Sequence, residues 1–374
     1  MGIQKVLAYP RVLDRRQCLA ALASVGGVLA VGCSRRVFSN TTANWVGWQG
    51  YDGPLKLGSF REANGIVIAT TYINTNEEII ARLQAGGKGQ VDLITIDYMS
   101  IPILIAADLV EAIDQSRVPG IARIFPDFLR VESISKDGKL YAVPFTWGTM
   151  SMIYDPAATA KPMSWKDALN SDVEGKVAMV DDMTGLLATW APIVVGTKTP
   201  TRLTMSELTK TNDFLIHIKK NYARTLSSSY GEAVDLFARR EVVTSAIGLD
   251  AMVDFAAAKN RVLDSVIPEE GVVVFMDTLA IPKGAPHLDL AYKMLGQCIS
   301  AEGQKQIADA MTQAVVTEAA LPIISDKNKQ LYHYDNMKLE FEKARFYPCW
   351  PLEPEGNFVT REQVQEDYQR VLKA

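Results

Sequence analysis

Two long apolar segments constrain the fold of this chain more than any other feature. Residues 141–154 read YAVPFTWGTMSMIY, an aromatic stretch interrupted only by Pro144 and Gly148, and residues 269–282 read EEGVVVFMDTLAIP. Near-continuous apolar runs of this kind predict buried strands, here strands that cross from one half of the molecule to the other. The second run contains one carboxylate, Asp277, which is costly to bury unless it is paired.

Chain length and alternation of patterns indicate the same architecture. A chain of 374 residues exceeds the size at which a single core stops growing, so we expect two lobes. From residue 41 onward, short β-rich runs alternate with helical patterns, which predicts an α/β fold with mostly parallel sheets. Strands are predicted at residues 65–71, 91–96 and 176–180, and helices begin near residues 55, 77 and 164, the second of them capped by the Asn/Thr cluster at 71–76.

Composition excludes several classes of protein. The chain is 48% hydrophobic and 22% charged, as in an ordinary globular protein, and its net charge is -4. Its basic residues are scattered, so we predict no nucleic-acid partner. The histidines His217, His287 and His333 lie far apart and have no Cys or His neighbours at ligand spacing. We therefore predict neither a metal site nor a cofactor.

The first 33 residues have the layout of an export signal. Residues 1–17 carry four Lys/Arg against one Asp, and residues 19–31 are apolar and uncharged. This pattern predicts a secretory signal over residues 1–32, because the apolar run is too short to span a bilayer comfortably. Arg15-Arg16 directly before the run resembles a twin-arginine motif, and general secretion is the alternative route.

Residues 29–33, LAVGC, resemble a bacterial lipobox, in which the cysteine thiol receives a diacylglycerol. We therefore predict a periplasmic lipoprotein anchored to the membrane through Cys33. The alternative is a signal peptide that is cut after a small residue and followed by an incidental cysteine. Cys298 and Cys349 lie in the rest of the chain, and the sequence does not decide between a disulfide and two buried thiols.

Two segments resemble a known family. YAVPFTWG at 141–148 and FMDTLAIP at 275–282 resemble segments of the bacterial periplasmic spermidine/putrescine-binding proteins, which are extracellular solute-binding components of ABC transporters. The resemblance extends from about residue 44 to the C-terminus. Weaker matches occur in the family's order: Asn44-Trp45, Asp92-Leu93, Ser164-Trp165, Val180-Asp181-Asp182 and Glu269-Glu270-Gly271.

The resemblance implies a type II periplasmic-binding fold, in which two lobes with central β-sheets are joined by crossover segments and close on a ligand by hinge motion. We predict one lobe from residues 40–150 plus 277–316, and the other from residues 151–276 plus 317–374. The implied partners are a small-molecule ligand, most simply a polyamine, and an ABC transporter permease. We expect a monomer.

The resemblance also implies a set of ligand-binding residues. Asp277 matches the aspartate that receives an ammonium group, a pairing stabilised by charge-assisted hydrogen bonds. Trp45 and Trp48 fall on the family's first aromatic pair, and Phe275 falls on a ring that is usually Trp. Such rings supply apolar walls and cation–π attraction. The structural alternative is a paired buried Asp and ordinary core aromatics; Tyr51, Phe145 and Trp147 are weaker candidates for the cleft.

Departures from the family pattern leave the ligand open. Asp182 matches a further family carboxylate, but Gly185 stands where its partner Glu is expected, and Gly248 stands where a Trp is expected. Asp97 and Asp250 are candidates to replace the missing acid, or they cap loops. The alternative ligands are an amino acid or another cationic compound.

Two further alternatives depend on residue types. An amino-acid ligand would need an Arg in the cleft, and the sequence does not favour any one of Arg61, Arg82 and Arg224. Catalysis lacks support, because there is no nucleophile elbow, phosphate loop or zinc helix. Asp181 and Asp182 are adjacent, so within a strand they would point to opposite faces. We therefore predict a binding protein rather than an enzyme.

Overall fold

The computed structural model describes residues 41–374, except residue 333 and the side chains of residues 336 and 338–340. The predicted signal segment 1–32 and the predicted acylation site Cys33 lie outside the described residues, as does His333. The described residues belong to one compact unit. Within the described part, no helix combines the length and the apolar character needed to cross a membrane.

Short strands and helices alternate along the chain, as the sequence predicts. The strands are β1 Thr41–Trp48, β2 Ile66–Ile73, β3 Leu93–Asp97, β4 Ser135–Lys136, β5 Lys139–Leu140, β6 Val143–Thr149, β7 Met152–Tyr154, β8 Val177–Val180, β9 Ala223–Ser227, β10 Thr244–Ser245, β11 Asp264–Val266, β12 Val272–Ala280, β13 Ala314–Val315 and β14 Ala344–Arg345.

The helices pack against the sheets formed by these strands. They are α1 Gly53–Lys56, α2 Gly58–Asn64, α3 Asn76–Arg82, α4 Ile101–Ala106, α5 Pro126–Leu129, α6 Met183–Val195, α7 Met205–Asn221, α8 Tyr230–Ala238, α9 Ala251–Ala257, α10 Leu288–Cys298, α11 Ala301–Met311, α12 Asp326–Tyr332, α13 Met337–Lys343 and α14 Arg361–Lys373. Short 3₁₀ turns link several of them, for example Trp165–Leu169.

Local sequence sets the ends of the first elements. Gly65 ends α2 in the left-handed region at φ 59°, which a glycine adopts without the steric cost of a side chain, and β2 follows at once. Thr75 caps α3 by accepting a hydrogen bond from the Glu78 N–H. The predicted polar cap at 71–76 is therefore confirmed, and Thr75 is the residue that provides it.

The larger sheet has seven strands and contains both predicted crossing segments. Its order is β13-β6-β12-β3-β1-β2, with β14 pairing β12. Strand β12 lies at its centre, where it runs antiparallel to both β3 and β6. All its residues except Phe275 are buried, which accounts for the apolar character of the segment.

The smaller sheet has five strands in the order β11-β7-β10-β8-β9. The chain enters it from β6 through Met150 and Ser151 and returns from β11 to β12 through residues 267–271. It crosses once more between β14 and α14, since β14 pairs in the larger sheet whereas α14 packs on α7. Two sheets joined by crossing segments confirm the predicted α/β two-lobe fold, while the predicted lobe boundaries stay a prediction.

The expectation of mostly parallel sheets is wrong. Parallel pairing joins β1 to β2 and β3, β8 to β9 and β10, and β12 to β14. Antiparallel pairing joins β12 to β3 and β6, β6 to β13, and β7 to β10 and β11. Strands β7 and β12 are each entered through a short crossing from the other sheet, at the end of their sheet nearest to it. Each therefore runs opposite to a neighbouring strand that follows a helix, β10 for β7 and β3 for β12.

The matched pairs Ser164-Trp165 and Glu270-Gly271 have a structural role. The Glu270 carboxylate accepts hydrogen bonds from the Ser164 hydroxyl and the Trp165 N–H, and the Trp165 indole donates to the Gly271 carbonyl at 2.9 Å. Trp165 is fully buried against Trp190. These contacts fix the crossing before β12 to the core of the smaller half.

Candidate functional site

A cavity of about 310 Å³ lies between the two sheets and forms the candidate site. Its walls come from the ends of β1 and β3, from the first half of β12, and from loops and helix starts of both halves. Strand ends facing a crevice are the usual ligand sites of open α/β sheets. The charged and aromatic lining residues are Trp48, Tyr51, Glu77, Asp97, Tyr98, Asp182, Tyr230, Phe275, Asp277, Trp350 and Arg361.

Asp277 and Asp97 form an acidic pair at the floor of the cleft. Strand β12 pairs with β3 so that Asp277 lies directly opposite Asp97. Side chains at such positions stand on one face of the sheet with Cβ atoms about 4.5–5.5 Å apart. Asp277 is only 7% exposed, and Asp97 is half-buried. Two like charges at this separation destabilise each other unless a positive charge lies between them.

Burial and mutual repulsion change the acidity of this pair. Burial raises the pKa of Asp277 to about 6, although the Tyr51 hydroxyl and the Trp48 indole partly oppose the shift. Burial, together with the charge of Asp277, holds the pKa of Asp97 well above its usual value. The two carboxyl groups therefore keep their protons to a higher pH than exposed aspartates do. An ammonium group between them would stabilise both in their ionised form.

Tyr51 orients the Asp277 carboxylate. Its hydroxyl donates to Asp277 Oδ2 at 2.7 Å, and its ring packs edge-on against Phe145 with centroids 5.6 Å apart. Burial and the neighbouring Asp277 charge raise the pKa of Tyr51 well above its ordinary value, so Tyr51 remains a donor. The sequence offered Tyr51 only as a weaker candidate, because nothing in the local pattern relates it to a residue 226 positions away.

Trp48 and Phe275 supply aromatic walls beside the acidic pair. The Trp48 indole N–H lies close enough to Asp277 to lower its pKa, although the pair does not meet hydrogen-bond geometry. Phe275 pairs with Gly148 on β6, and a Cβ at position 148 would lie 2.6 Å from the Cε1 and Cζ atoms of Phe275. Gly148 therefore makes room for the Phe275 ring against the sheet.

Asp182 faces the cleft from the smaller half. It caps α6 by accepting a hydrogen bond from the Gly185 N–H at 2.9 Å, and its second oxygen accepts from the Tyr230 hydroxyl at 2.7 Å. Burial raises the pKa of Asp182. Two donors hold its carboxylate in a fixed position across the cleft from Asp97, whose pKa it also raises.

Close packing at Gly185 and Gly248 accounts for the two departures from the family pattern. A Cβ at Gly185 would lie 2.5 Å from Ile247 Cδ1 and 2.7 Å from Asp182 Oδ2. A Cβ at Gly248 would lie 2.4 Å from Ile153 Cγ1 and 3.0 Å from the Ser151 carbonyl oxygen. With these neighbours in place, neither a Glu at 185 nor a Trp at 248 fits. Asp182 therefore faces this end of the cleft without the Glu and the Trp that the family pattern predicts.

Two of the predicted ligand residues do not line the cleft. Trp45 is fully buried in the core and packs edge-on against Tyr72. The reason is strand alternation: Trp45 and Trp48 are three positions apart on β1 and so point to opposite faces. Asp250 lies beside a separate cavity of about 430 Å³, where its carboxylate accepts hydrogen bonds from the Thr149 N–H and hydroxyl. It ties α9 to the end of β6.

The structure adds residues that the sequence did not nominate. Cys349 and Trp350 come from the crossing between β14 and α14, and Arg361 begins α14. The Arg361 guanidinium donates to Glu77 Oε1 at 2.6 Å, which joins α14 of the smaller half to α3 of the larger half. One signal was available: a cation in the first turn of a helix opposes the helix dipole and needs a compensating partner.

The described part of the chain contains two cysteines. Cys298 and Cys349 are both buried free thiols. Among the described residues, no group of three or more His, Cys, Asp and Glu side chains is arranged to hold a metal ion. The cleft is lined by carboxylates and aromatic rings around one cavity, an arrangement that is suited to holding a cation.

A family comparison agrees with this geometry. The bacterial extracellular solute-binding protein family matches residues 58–330. The chain belongs to this family. Its members are the solute-binding components of ABC transporters: they bind small molecules outside the cytoplasm, work with a membrane permease and are not enzymes.

Individual relatives are similar over most of their length. The putrescine-binding periplasmic protein PotF of Escherichia coli is 24% identical over 319 residues, which cover 80% of this chain and 84% of the relative. The spermidine/putrescine-binding protein PotD of Streptococcus pneumoniae has a structure with a TM-score of 0.74 at 19% identity, covering 89% and 98% of the two chains. The Atu4243–GABA receptor has a TM-score of 0.67 at 16% identity, covering 89% and 97%. The resemblance predicted from the two crossing motifs is thereby confirmed.

Proposed function

We propose that the cleft binds a linear polyamine such as putrescine or spermidine and presents it to an ABC transporter permease. The observation that carries this proposal is the direct pairing of Asp97 with Asp277 at the floor of the cleft. A carboxylate pair on adjacent strands is unfavourable while empty and is stabilised by a cation between its members. The ligand would therefore be recognised through an ammonium group.

Two features of the cleft support a linear ligand with more than one ammonium group. Asp182 lies on the opposite wall, so a second ammonium has a separate acceptor. Trp48 and Phe275 border the space beside Asp277, where they would cover the methylene groups of the ligand. Hydrogen bonds from ammonium to carboxylate are about twice as strong as neutral ones, and each aromatic face adds about 0.5–2 kcal/mol.

A second candidate is a ligand that carries one amine and one carboxylate. The observation in its favour is Arg361, because a guanidinium in the cleft is what an α- or ω-carboxylate needs. The Atu4243–GABA receptor, which has a similar fold, is named after such a ligand. Against it, Arg361 already pairs with Glu77, and three aspartates would face a single amine.

Calorimetric titration of the purified protein with putrescine, spermidine and γ-aminobutyrate tests both candidates. We expect saturable binding of at least one amine and no measurable heat with γ-aminobutyrate. Tight binding of γ-aminobutyrate with no heat from either amine would replace the polyamine proposal by the amino-acid candidate. Absence of heat with all three would exclude both.

We also propose that the protein is exported and acts as a monomer anchored through a lipid on Cys33. The motif at residues 29–33 supports the anchor, and the family's periplasmic members support export. The lobe boundaries at 40–150 plus 277–316 and 151–276 plus 317–374 remain part of the proposal. The membership of β1–β3 and β13 in one sheet, and of β7–β11 in the other, supports them, whereas β14 falls in the range proposed for the second lobe but pairs in the larger sheet.

A further inference from the structure

Of the lining residues of the cleft, all of them within the described part, one carries a cationic side chain, and it is already paired with a carboxylate. Arg361 Nη2 lies 2.6 Å from Glu77 Oε1. The Glu77 side chain is 56% exposed, whereas that of Arg361 is 22% exposed. Glu77 thus stands at the open side of the cleft, and Arg361 reaches it from the inner wall. The other carboxylates of the lining are Asp97, Asp182 and Asp277.

The position of Arg361 is unfavourable for its own helix. It is the first residue of α14, where the helix dipole presents its positive end and where acidic side chains are preferred. The capping box of Thr360 and Gln363 would start this helix without any contribution from the Arg361 charge. A cation that opposes a local rule beside a ligand cavity points to a role in that cavity.

We infer that Arg361 determines ligand specificity by neutralising Glu77, which leaves three aspartates to recognise ammonium groups. This inference rests on the proposed amine-binding function and specifies its substrate class. With Arg361 in place, a fourth carboxylate is withdrawn from the ligand, so longer polyamines gain little from an additional ammonium at the open side. Without Arg361, Glu77 would be free to accept that ammonium.

A simpler role for the pair makes a different prediction. Glu77 lies on α3 of the larger half and Arg361 on α14 of the smaller half, so the ion pair also bridges the cleft. If it only held the halves together, its loss would weaken all amines by the same factor. If the pair instead limits the number of carboxylates available to the ligand, its loss changes the ratio of affinities for ligands that carry different numbers of ammonium groups. The ratio of affinities therefore separates the two roles.

The experiment is a double-mutant cycle on the full chain, with putrescine and spermidine titrated into wild type, Arg361→Gln, Glu77→Gln and the double variant. We expect Arg361→Gln to shift the affinity ratio toward spermidine by about threefold to tenfold, the range for a charged hydrogen bond at a partly exposed site. In Glu77→Gln the unpaired guanidinium should shift the ratio toward putrescine. The double variant should return close to the wild-type ratio.

Two controls make the result specific. Arg361→Lys keeps the charge and should keep the wild-type ratio. Arg224→Gln removes an arginine that pairs with Glu241 outside the cleft lining, and it should leave both affinities unchanged. If both amines still bind to Arg361→Gln and the ratio of their affinities changes by less than about twofold, the inference is wrong and the proposed function still stands. Failure of the wild type to bind either amine would overturn both the inference and the proposed function.

Discussion

Asp277 and Asp97 form the acidic floor of the cleft, and the Tyr51 hydroxyl supports it by donating a hydrogen bond to the Asp277 carboxylate. Asp277, Asp182, Trp48 and Phe275 were predicted from the family resemblance, and Asp97 was predicted to replace a missing acid or to cap a loop. All five line one cavity. A motif identifies strand residues because their spacing along the chain is fixed. It does not identify partners from distant segments, and the Tyr51 and Arg361 contacts therefore became visible only in the folded chain.

We expect Asp277→Asn to weaken amine binding by on the order of 1.5 to 3 kcal/mol, the scale of a hydrogen bond to a charged group. The variant should stay folded, because an Asn oxygen still accepts from the Tyr51 hydroxyl. Calorimetry on the variant measures the loss. Asp250→Ala is the contrasting variant: it should lower stability by removing the oxygen that accepts from the Thr149 N–H and hydroxyl, and it should leave amine affinity unchanged. Equal affinity losses in both would contradict the assignment.

The raised pKa of Asp277 predicts how stability depends on pH. The folded-state pKa is about 6, against a usual value of 3.8, so this group contributes stability that is fully present below pH 3.8 and is lost as pH rises through 6. The change is on the order of 3 kcal/mol in the unliganded protein. Urea unfolding between pH 4.5 and 7.5 should therefore show Asp277→Asn gaining stability relative to wild type as pH rises. If the difference in stability between Asp277→Asn and wild type stays constant with pH, the raised pKa of Asp277 is not the cause of the pH dependence.

Among strands and helices, the two crossing segments were predicted well because their apolar runs are long and uninterrupted. What the pattern missed is the break between β6 and β7 at Met150 and Ser151, and the antiparallel direction of β12. Both follow from where the chain passes between sheets. That passage depends on which distant strand offers a free edge, and apolar periodicity carries no information about it.

The contact between β6 and β12 gives a prediction about Gly148. In Gly148→Ala the new Cβ would displace the Phe275 ring, which is a side-chain end and able to rotate away. We expect amine affinity to fall by about 0.5–2 kcal/mol, the value of one aromatic contact, with little change in the denaturation midpoint. Gly231→Ala, at a helical position where a new Cβ would meet Ser229 Oγ at an ordinary contact distance of 3.8 Å, is the matched control and should bind normally. Unchanged affinity in Gly148→Ala would mean that Phe275 does not contact the ligand.

For the chain as a whole, length alone predicted two halves, and the order of motifs predicted which family they form. The C-terminal segment was harder to predict: residues 344–345 pair with β12, Cys349 and Trp350 line the cleft, and α14 packs on α7. These contacts join positions more than 70 residues apart. No local pattern encodes them, so the third crossing and its arginine were found only from the fold.

The arrangement of the whole protein in the cell depends on Cys33, which lies outside the described residues. If the motif at 29–33 is a lipobox, acylation anchors the protein through buried CH₂ groups, each worth about 0.8 kcal/mol. Cys33→Ala should then move the protein from the membrane fraction to the soluble periplasmic fraction on cell fractionation. Cys18→Ala, which changes a cysteine inside the predicted signal segment, should leave the distribution unchanged. Membrane association that persists in Cys33→Ala would show that acylation is not the anchor, and equal release in both variants would indicate a defect in export instead.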